Sequence, residues 1–521
     1  MVLGLLLAAI LFCLPFRACA AGVTIITHGA NSDVNGWITS MAGRFPLYPN
    51  FKGTNFSTYV MRFITNAQHT VVLSQSRLAG VAVTNSDRGE VFILLDWSQF
   101  SSGTSSNTTQ IANAVVPALL QTNFFPELGG HSVVEFPIHL IGHSRGGSVI
   151  SEISRLLGAQ GIWVDQQTTL DPHPLNNDGF AEPILSAVDA SVKAYANVLY
   201  ADNYYQTISS LVRGESITGA YNRKLTNLSG GYGNTGTLAP EHSNVHLWYH
   251  GTVETNTPSS DTEASITSTE RNSWWTANES HGAAGGFLYS LIGGGNRLGT
   301  NEPAGSGLGQ IRSGFNSALN IGSGLGARTA LPSNNGFWPN ALKFNLLTNA
   351  PFRPGDTVPF RFYYQCGVSS SADVRVYVDV DSNPYNINQK QIVQFQVAGT
   401  GISSISFTNI STILNGASIN PGTYAVYARI SDGSRTRYLY APEPLIVLPS
   451  LQPPTLISVR GNPFQLNIVG FPGQQLIIQT STNFADWIPL KTNTLAATNT
   501  LFIDASSPIF SRRFYRARLV P

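Results

Sequence analysis

Pro137-Ile138-His139-Leu140-Ile141-Gly142-His143-Ser144-Arg145-Gly146-Gly147-Ser148-Val149-Ile150 is the stretch from which the rest of the chain can be read. An apolar run suited to a buried strand meets Gly-x-Ser-x-Gly, and a helical pattern follows with Ile150, Ile153, Leu156 and Leu157 spaced for one face. The pattern predicts a strand, a sharp turn and a helix. So tight a turn leaves little room beside the serine, which suits glycine at 142 and 146. It lifts the Ser144 hydroxyl clear of the backbone and turns the Arg145 amide toward the same space at a helix N-terminus. With 49 glycines in 521 residues the five letters alone could arise by chance. Their weight comes from the strand-like and helix-like runs on either side, and from there being no second match in the sequence.

A chain of 521 residues exceeds one core and predicts several domains. Charged residues make up 11% and the formal net charge is +1, so no basic surface for nucleic acid is expected. The apolar run Leu3 to Phe16 is too short to span a bilayer. With Ala18-Cys19-Ala20 after it, it reads as a signal peptide over 1–20. Cys19 as a lipid-modified residue is the alternative, for which Phe16 and Arg17 are poor neighbours. Cleavage would leave Cys366 as the sole cysteine, so no internal disulfide is expected in the exported chain, extracellular or periplasmic. No later stretch is apolar and long enough for a membrane helix.

Residues 21–300 read as one α/β unit. Gly22 to Thr27, Val91 to Ser98, the serine strand, a run ending near Asp171-Pro172 and Ala196 to Ala201 are strand-like. Asp33 to Phe45 and Asn107 to Leu120 are helix-like, with Pro117 a mark against the second being unbroken. Strands alternating with helices predict a mostly parallel sheet with helices on both faces. From Gly293 the composition shifts to Gly, Ser and Asn, and 301–340 reads as a linker. Beyond it the period changes to two: Val358 to Tyr364, Val374 to Val380, Ile392 to Val397, Tyr424 to Ile430 and Tyr438 to Val447. These predict an immunoglobulin-like β-sandwich over 341–450, and a second small sandwich is expected over 451–521.

A serine hydroxyl becomes a nucleophile when a histidine takes its proton, and that histidine needs a carboxylate to hold its tautomer. His242, in Pro240-Glu241-His242-Ser243, is the candidate base, with His246 and His250 its rivals. Asp171 and Asp202 are both candidate acids, because each ends a strand-like run and functional groups on open sheets gather at carboxyl ends. Asp379-x-Asp381-x-Asn383 resembles the start of a calcium loop, but Pro384 stands where the glycine turn belongs and Lys390 where the bidentate acid belongs. A solvated turn is expected there.

His28-Gly29-Ala30, Asp96-Trp97-Ser98, the Ser144 motif, Thr169-Leu170-Asp171-Pro172 and the His242 segment ending in Trp248-Tyr249 resemble, in order and rough spacing, the pancreatic-lipase-like branch of the α/β-hydrolases. The resemblance covers residues 22 to 300. It implies an α/β-hydrolase domain ahead of the two small all-β modules, Asp171 as the acid, an oxyanion hole at the Ala30 and Arg145 amides, and a lid at Ile208 to Leu238. No disulfide can tie such a lid here, and Asp202-Asn203-Tyr204-Tyr205-Gln206 has no assigned counterpart, which keeps Asp202 open as the acid. The expected activity is that of a secreted carboxylic-ester hydrolase, a lipase or esterase, working through an acyl-enzyme on Ser144. It needs no cofactor or metal, and its substrate is an ester presented in lipid or on an insoluble polymer. The alternatives are a polyester or carbohydrate-ester hydrolase docked by its C-terminal modules, or a non-catalytic surface-binding protein.

Overall fold

The computed structural model describes residues 22–47, 56–66, 68, 70–85, 90–182, 184–209, 212–233, 240–254, 257–275, 286, 328–333, 338–348, 350–367, 371–401, 404–416, 419–441 and 443–520. The expected signal peptide, most of the expected linker and parts of the expected lid lie outside them.

The first sheet is built from β1 (Val23–Thr27), β2 (Ser57–Thr65), β3 (Val71–Gly80), β4 (Val91–Asp96), β5 (Ile138–His143), β6 (Val164–Leu170), β7 (Val198–Tyr205) and β8 (Tyr221–Lys224), in the order β3-β2-β4-β1-β5-β6-β7-β8. β3 runs antiparallel to β2, and the other neighbours run parallel. β1, β4 and β5 are buried along their whole length, so their runs are almost continuously apolar rather than alternating. One face carries Val23, Ile25, Ile93, Leu95 and Leu140 against α2 (Thr108–Leu120) and α3 (Arg145–Ala159). The other carries Ile26, Phe92, Leu94 and Ile141 against α1 (Trp37–Ala42) and α4 (Pro240–Val253). A short α5 (Ser268–Trp274) follows. Pro117 does not break α2, which an Asn107–Gln110 capping box starts.

This corrects the expected fold class. The chain is largely β, with five α-helices among its described residues; the N-terminal sheet is mixed, and the sheets after it are antiparallel. It is not the helix-rich α/β-hydrolase domain anticipated. The physical reasons are local. Asp33 to Phe45 yields only a six-residue helix, interrupted by Gly36 and Gly43. Ser57 to Gly80 folds as a hairpin that the apolar pattern did not announce. Between β6 and β7, Pro172, Pro174 and Gly179 stand where a crossover helix would have formed, and the described chain runs there as turns.

The next unit has one sheet of β9 (Asn340–Leu346), β10 (Thr357–Gln365) and β13 (Ser406–Ile413), and another of β11 (Ala372–Asp379), β12 (Lys390–Val397), β14 (Gly422–Ser431) and β15 (Thr436–Tyr440), with β16 (Leu445–Val447) pairing to β14. Phe344, Phe360 and Phe362 of the first sheet share a core with Val374, Val376, Val426 and Ile430 of the second. The last unit holds β17 (Thr455–Val459), β18 (Phe464–Val469) and β21 (Asn499–Asp504) in one sheet. Its other sheet is β19 (Gln475–Ser481), β20 (Ile488–Thr494) and β22 (Phe514–Leu519).

A buried polar seam joins the N-terminal sheet to the middle unit. The Arg437 guanidinium, 1% exposed, donates to the Trp163 carbonyl at 3.0 Å and to Asp165 at 3.2 Å. Asp165 also accepts the Ile138 amide, the first of β5, at 2.8 Å. Asn340 reaches the Gly161 carbonyl and Gln365, and Asn383 reaches the Val83 carbonyl. At Asp379 the expected solvated turn is a ladder of side-chain bonds instead. Asp379 accepts from Tyr440 and the Asp381 amide, and Asp381 accepts from Asn383, Asn386 and Asn388. Among the described residues no helix is long and apolar enough to cross a membrane.

Candidate active site

Ser144 occupies the single position between the end of β5 and the start of α3, with φ 56° and ψ −127°. That left-handed φ is costly for a residue with a Cβ and persists only where packing enforces it. The neighbours enforce it through glycine. A Cβ on Gly142 would lie 2.3 Å from the Gly146 carbonyl oxygen, one on Gly146 2.6 Å from the His28 carbonyl oxygen, and one on Gly29 2.5 Å from the Ser144 Cβ. The His28-Gly29-Ala30 loop is thus pressed against the serine.

The peptide orientation in that loop is held by His28. Its Nδ1 lies 2.9 Å from the Gly29 carbonyl oxygen, and its Nε2 accepts the Trp97 amide at 3.1 Å. In a trans peptide the carbonyl and the next amide point to opposite sides, so the Ala30 N–H faces away from His28. Trp97 stacks on the His28 ring and donates to Thr27, which accounts for the Asp96-Trp97-Ser98 motif.

Arg145 contributes to the site through its backbone alone. Its side chain is fully buried, forks onto Asp189 at 2.7 and 2.8 Å and donates to the Ser101 and Ser106 carbonyls. Its amide begins α3 at the turn, where unpaired N–H groups gather. Asp189 also accepts the Thr108 and Leu175 amides, and so fastens the β6–β7 connection to two helix starts. Nothing in the sequence pattern singled it out.

Asp171 follows β6 directly, at φ 43°, and is wholly buried. Oδ1 accepts the Gln206 and Gly214 amides at 2.9 Å each. Oδ2 accepts the Gln206 side-chain amide at 2.8 Å and lies 2.7 Å from His242 Nδ1. Gly214 is required at that distance, since a Cβ there would stand 2.5 Å from Oδ1. Gln206, the last residue of the segment that had no counterpart, holds the Asp171 carboxylate from both its backbone and its side chain. The part of the expected lid that carries Gly214 supplies this amide and then β8, an edge strand of the sheet.

His242 lies in the first turn of α4, 13% exposed at its side chain. Its ring is 4.5 Å from that of His143, and the His143 Nε2 donates to its carbonyl at 3.1 Å. The His173 ring is 6.2 Å away, and the His173 amide donates to the Ser144 carbonyl. Ser144 is therefore bracketed by residues whose rings flank that of His242. Burial, with His242 and His246 nearby, drives the His143 pKa well below the usual imidazole range.

The structure separates the two candidate acids. Asp202 lies inside β7 and is spent on Thr168 at 2.6 Å, Tyr204 at 2.9 Å and Gln166. The rival histidines lie further along α4: His246 is buried beside Asp261, and His250 beside Glu254. Burial lowers the His250 pKa to about 4. A cleft of 590 Å³ opens one residue beyond Ala30, lined by Asn31, Ser32, Asp33, Asn35, Ser98 and Glu263.

No protein-family model matches the chain. No curated protein matches it either. Among solved structures it is similar to the C-terminal domain of Wzt, with 8% identity over 22% of this chain and 75% of that one at a TM-score of 0.17. It is also similar to the BSP domain of a biofilm associated protein, with 16% identity over 32% of this chain and 24% of that one at 0.13. A third is the Pseudomonas fluorescens alkylpurine DNA glycosylase AlkC bound to DNA containing an abasic site analogue, with 11% identity over 20% and 31% at 0.14. Scores this low carry no argument about fold or chemistry, so the geometry above has to carry the reading alone.

Proposed function

We propose that this chain is an exported serine hydrolase of carboxylic esters, with Ser144 as nucleophile, His242 as base and Asp171 as the carboxylate behind the base. The observation that carries the reading is the 2.7 Å contact between His242 Nδ1 and an Asp171 carboxylate whose other donors are already in place. With Nδ1–H donated to Asp171, the lone pair of the ring sits on Nε2, the nitrogen that must take a proton. Ser144 Oγ attacks the acyl carbon while its proton passes to Nε2. The Ala30 and Arg145 amides receive the negative charge that develops on the carbonyl oxygen. The imidazolium then protonates the departing alcohol, and water, activated by the same ring, hydrolyses the acyl-serine.

The motif order that resembles pancreatic-lipase-like hydrolases supports the assignment independently of fold. The lining of the cleft beside Ala30, amides and hydroxyls with the Asp33 and Glu263 carboxylates, favours an ester with a short or polar portion over a long acyl chain. Export rests on the N-terminal sequence pattern. Ser144→Ala is expected to abolish hydrolysis of p-nitrophenyl butyrate with an unchanged circular dichroism spectrum, and a fluorophosphonate probe should label the wild-type chain at Ser144. Turnover surviving in the alanine variant would reject the proposal.

A further inference from the structure

Two clusters of histidine and carboxylate lie beside the residues described above, and the partners of each ring nitrogen tell them apart. His173 has an acid on both sides, with Asp178 against Nδ1 and Glu182 3.0 Å from Nε2. Burial pulls its pKa down, yet these carboxylates outweigh burial and raise it. Carboxylates this close to both nitrogens favour the doubly protonated ring, which has no lone pair to give a metal.

His143 and His246 are arranged differently. His143 donates from Nε2 to the His242 carbonyl, which leaves its lone pair on the other nitrogen. His246, wholly buried one turn after His242 on α4, has Asp261 Oδ2 2.9 Å from Nδ1. Neither of its ring nitrogens has a hydrogen-bond partner of good geometry among the described residues, and Nε2, on the side away from Asp261, lies 3.9 Å from Glu263 Oε2. The second Glu263 oxygen accepts from Ser32, which leaves Oε2 for the histidine side. An imidazole held at one nitrogen by a carbonyl, as His143 is, or flanked there by a carboxylate, as His246 is, presents the other as a lone pair, as metal-binding histidines do. The Trp37 indole stacks on His246 at 4.3 Å and meets His143 edge-on at 5.8 Å, which limits how far either ring can turn. One ligand atom from each of His143, His246 and Glu263 lies within 4.8 Å of the others.

We propose that His143, His246 and Glu263 bind one divalent transition-metal ion, zinc by ligand type, with Asp261 behind His246 and water filling the remaining coordination. Two imidazoles and one carboxylate form a zinc donor set, whereas calcium and magnesium take all-oxygen shells. Closing donors from 4.8 Å to the roughly 3.5 Å implied by bonds of about 2.0–2.2 Å asks for a small movement. Glu263, with 31% of its side chain exposed, is the ligand able to make it. The ion would join three segments: the end of β5 next to Ser144, the helix that carries His242, and the turn at Asp261 to Ala264. It would act as a clamp on α4 outside the acyl-transfer steps.

The test uses the full chain without an affinity tag, stripped with EDTA and then titrated with zinc chloride by calorimetry. Bound zinc is counted by mass spectrometry, and thermal unfolding is followed in parallel. One zinc per chain is expected, with a rise in Tm that EDTA reverses. Asp261→Asn, behind His246, should weaken zinc binding roughly 10–100-fold, and Glu263→Gln at least as much. His246→Ala should remove it, and His173→Ala should leave the stoichiometry at one. If His246→Ala does not fold, Glu263→Gln, which changes a partly exposed loop side chain, still decides. Zinc that neither binds nor raises Tm would overturn the proposal, as would zinc that survives Glu263→Gln and is lost with His173→Ala. None of these readouts requires turnover, so they stand or fall apart from the hydrolase reading.

Discussion

The Asp171 rim and the Arg437 seam are both buried polar networks centred on a carboxylate, and they differ in what remains unspent. At the seam, Asp165 takes the Ile138 amide and the Arg437 guanidinium, and Asn340 is spent on Gly161, Trp338 and Gln365. Its bonds run from one part of the chain to the other, with the buried Arg437 Nε left over, and the result is cohesion between the two. At the rim, Asp171 is equally well supplied, but one of its donors is a ring with a second nitrogen on a partly exposed side chain. That second nitrogen, held in direction by everything behind it, is what the proposed chemistry needs and what the seam lacks.

The largest expected effect breaks the rim alone. Asp171→Asn should lower ester turnover by about 10⁴-fold with little loss of fold, because the amide favours the wrong tautomer of His242. Asp202→Asn, inside the same sheet, should cost about 1–3 kcal/mol in urea unfolding and leave kcat within a few-fold. A comparable fall in kcat for both variants would erase the distinction drawn between them. At the seam the order reverses. Arg437→Leu should destabilise the chain by about 3–5 kcal/mol, since Asp165 would be left buried without its cation. The kcat of the molecules that remain folded should stay near wild type, and a specific loss of kcat at full stability would show that the seam belongs to the chemistry.

The smallest effect concerns a third acid. Burial first, and then Asp381, push the Asp379 carboxyl from 3.8 up to about 8. A folded-state pKa above the unfolded one contributes stability that is complete below about pH 4 and declines as pH rises toward about 8. Asp379→Asn should flatten that part of the stability-against-pH curve, and an unchanged slope would show that Asp379 stays ionised. Asp379 has two donors and Asp171 four, and that count is what the experiment sharpens.

Much of the rim was legible because its requirements are local. A serine at a left-handed φ needs glycine neighbours, and a carboxylate just past a strand end is written next to its proline. The choice between Asp171 and Asp202 was not legible from strand ends alone, because it depends on whether a side chain leaves the sheet or stays within a strand. Gln206 and Gly214 carry no signal until the chain returns to Asp171, and Asp189 reads as an ordinary loop acid until Arg145 is seen to turn inward. The helix-rich expectation failed where sequence period misleads. Fully buried strands and short buried helices are both apolar runs, and the Ser57 to Gly80 hairpin, exposed along β3, has too little contrast to stand out. In the middle unit β9 and β13 carry no clear period-two signal: the inner face of β13 is Ser406, Thr408, Ile410 and Thr412, while Phe407 and Ile413 lie on its exposed face.

Asp165 has a further consequence for anyone who would rebuild this chain. The same carboxylate grips the first amide of the serine's strand and a cation that arrives from 272 residues downstream. The middle β unit is therefore not an interchangeable accessory. Transplanting the N-terminal sheet onto another scaffold would have to carry the chain at least through β15, and recombination points nearer to residue 340 would sever β5 from the cation behind it.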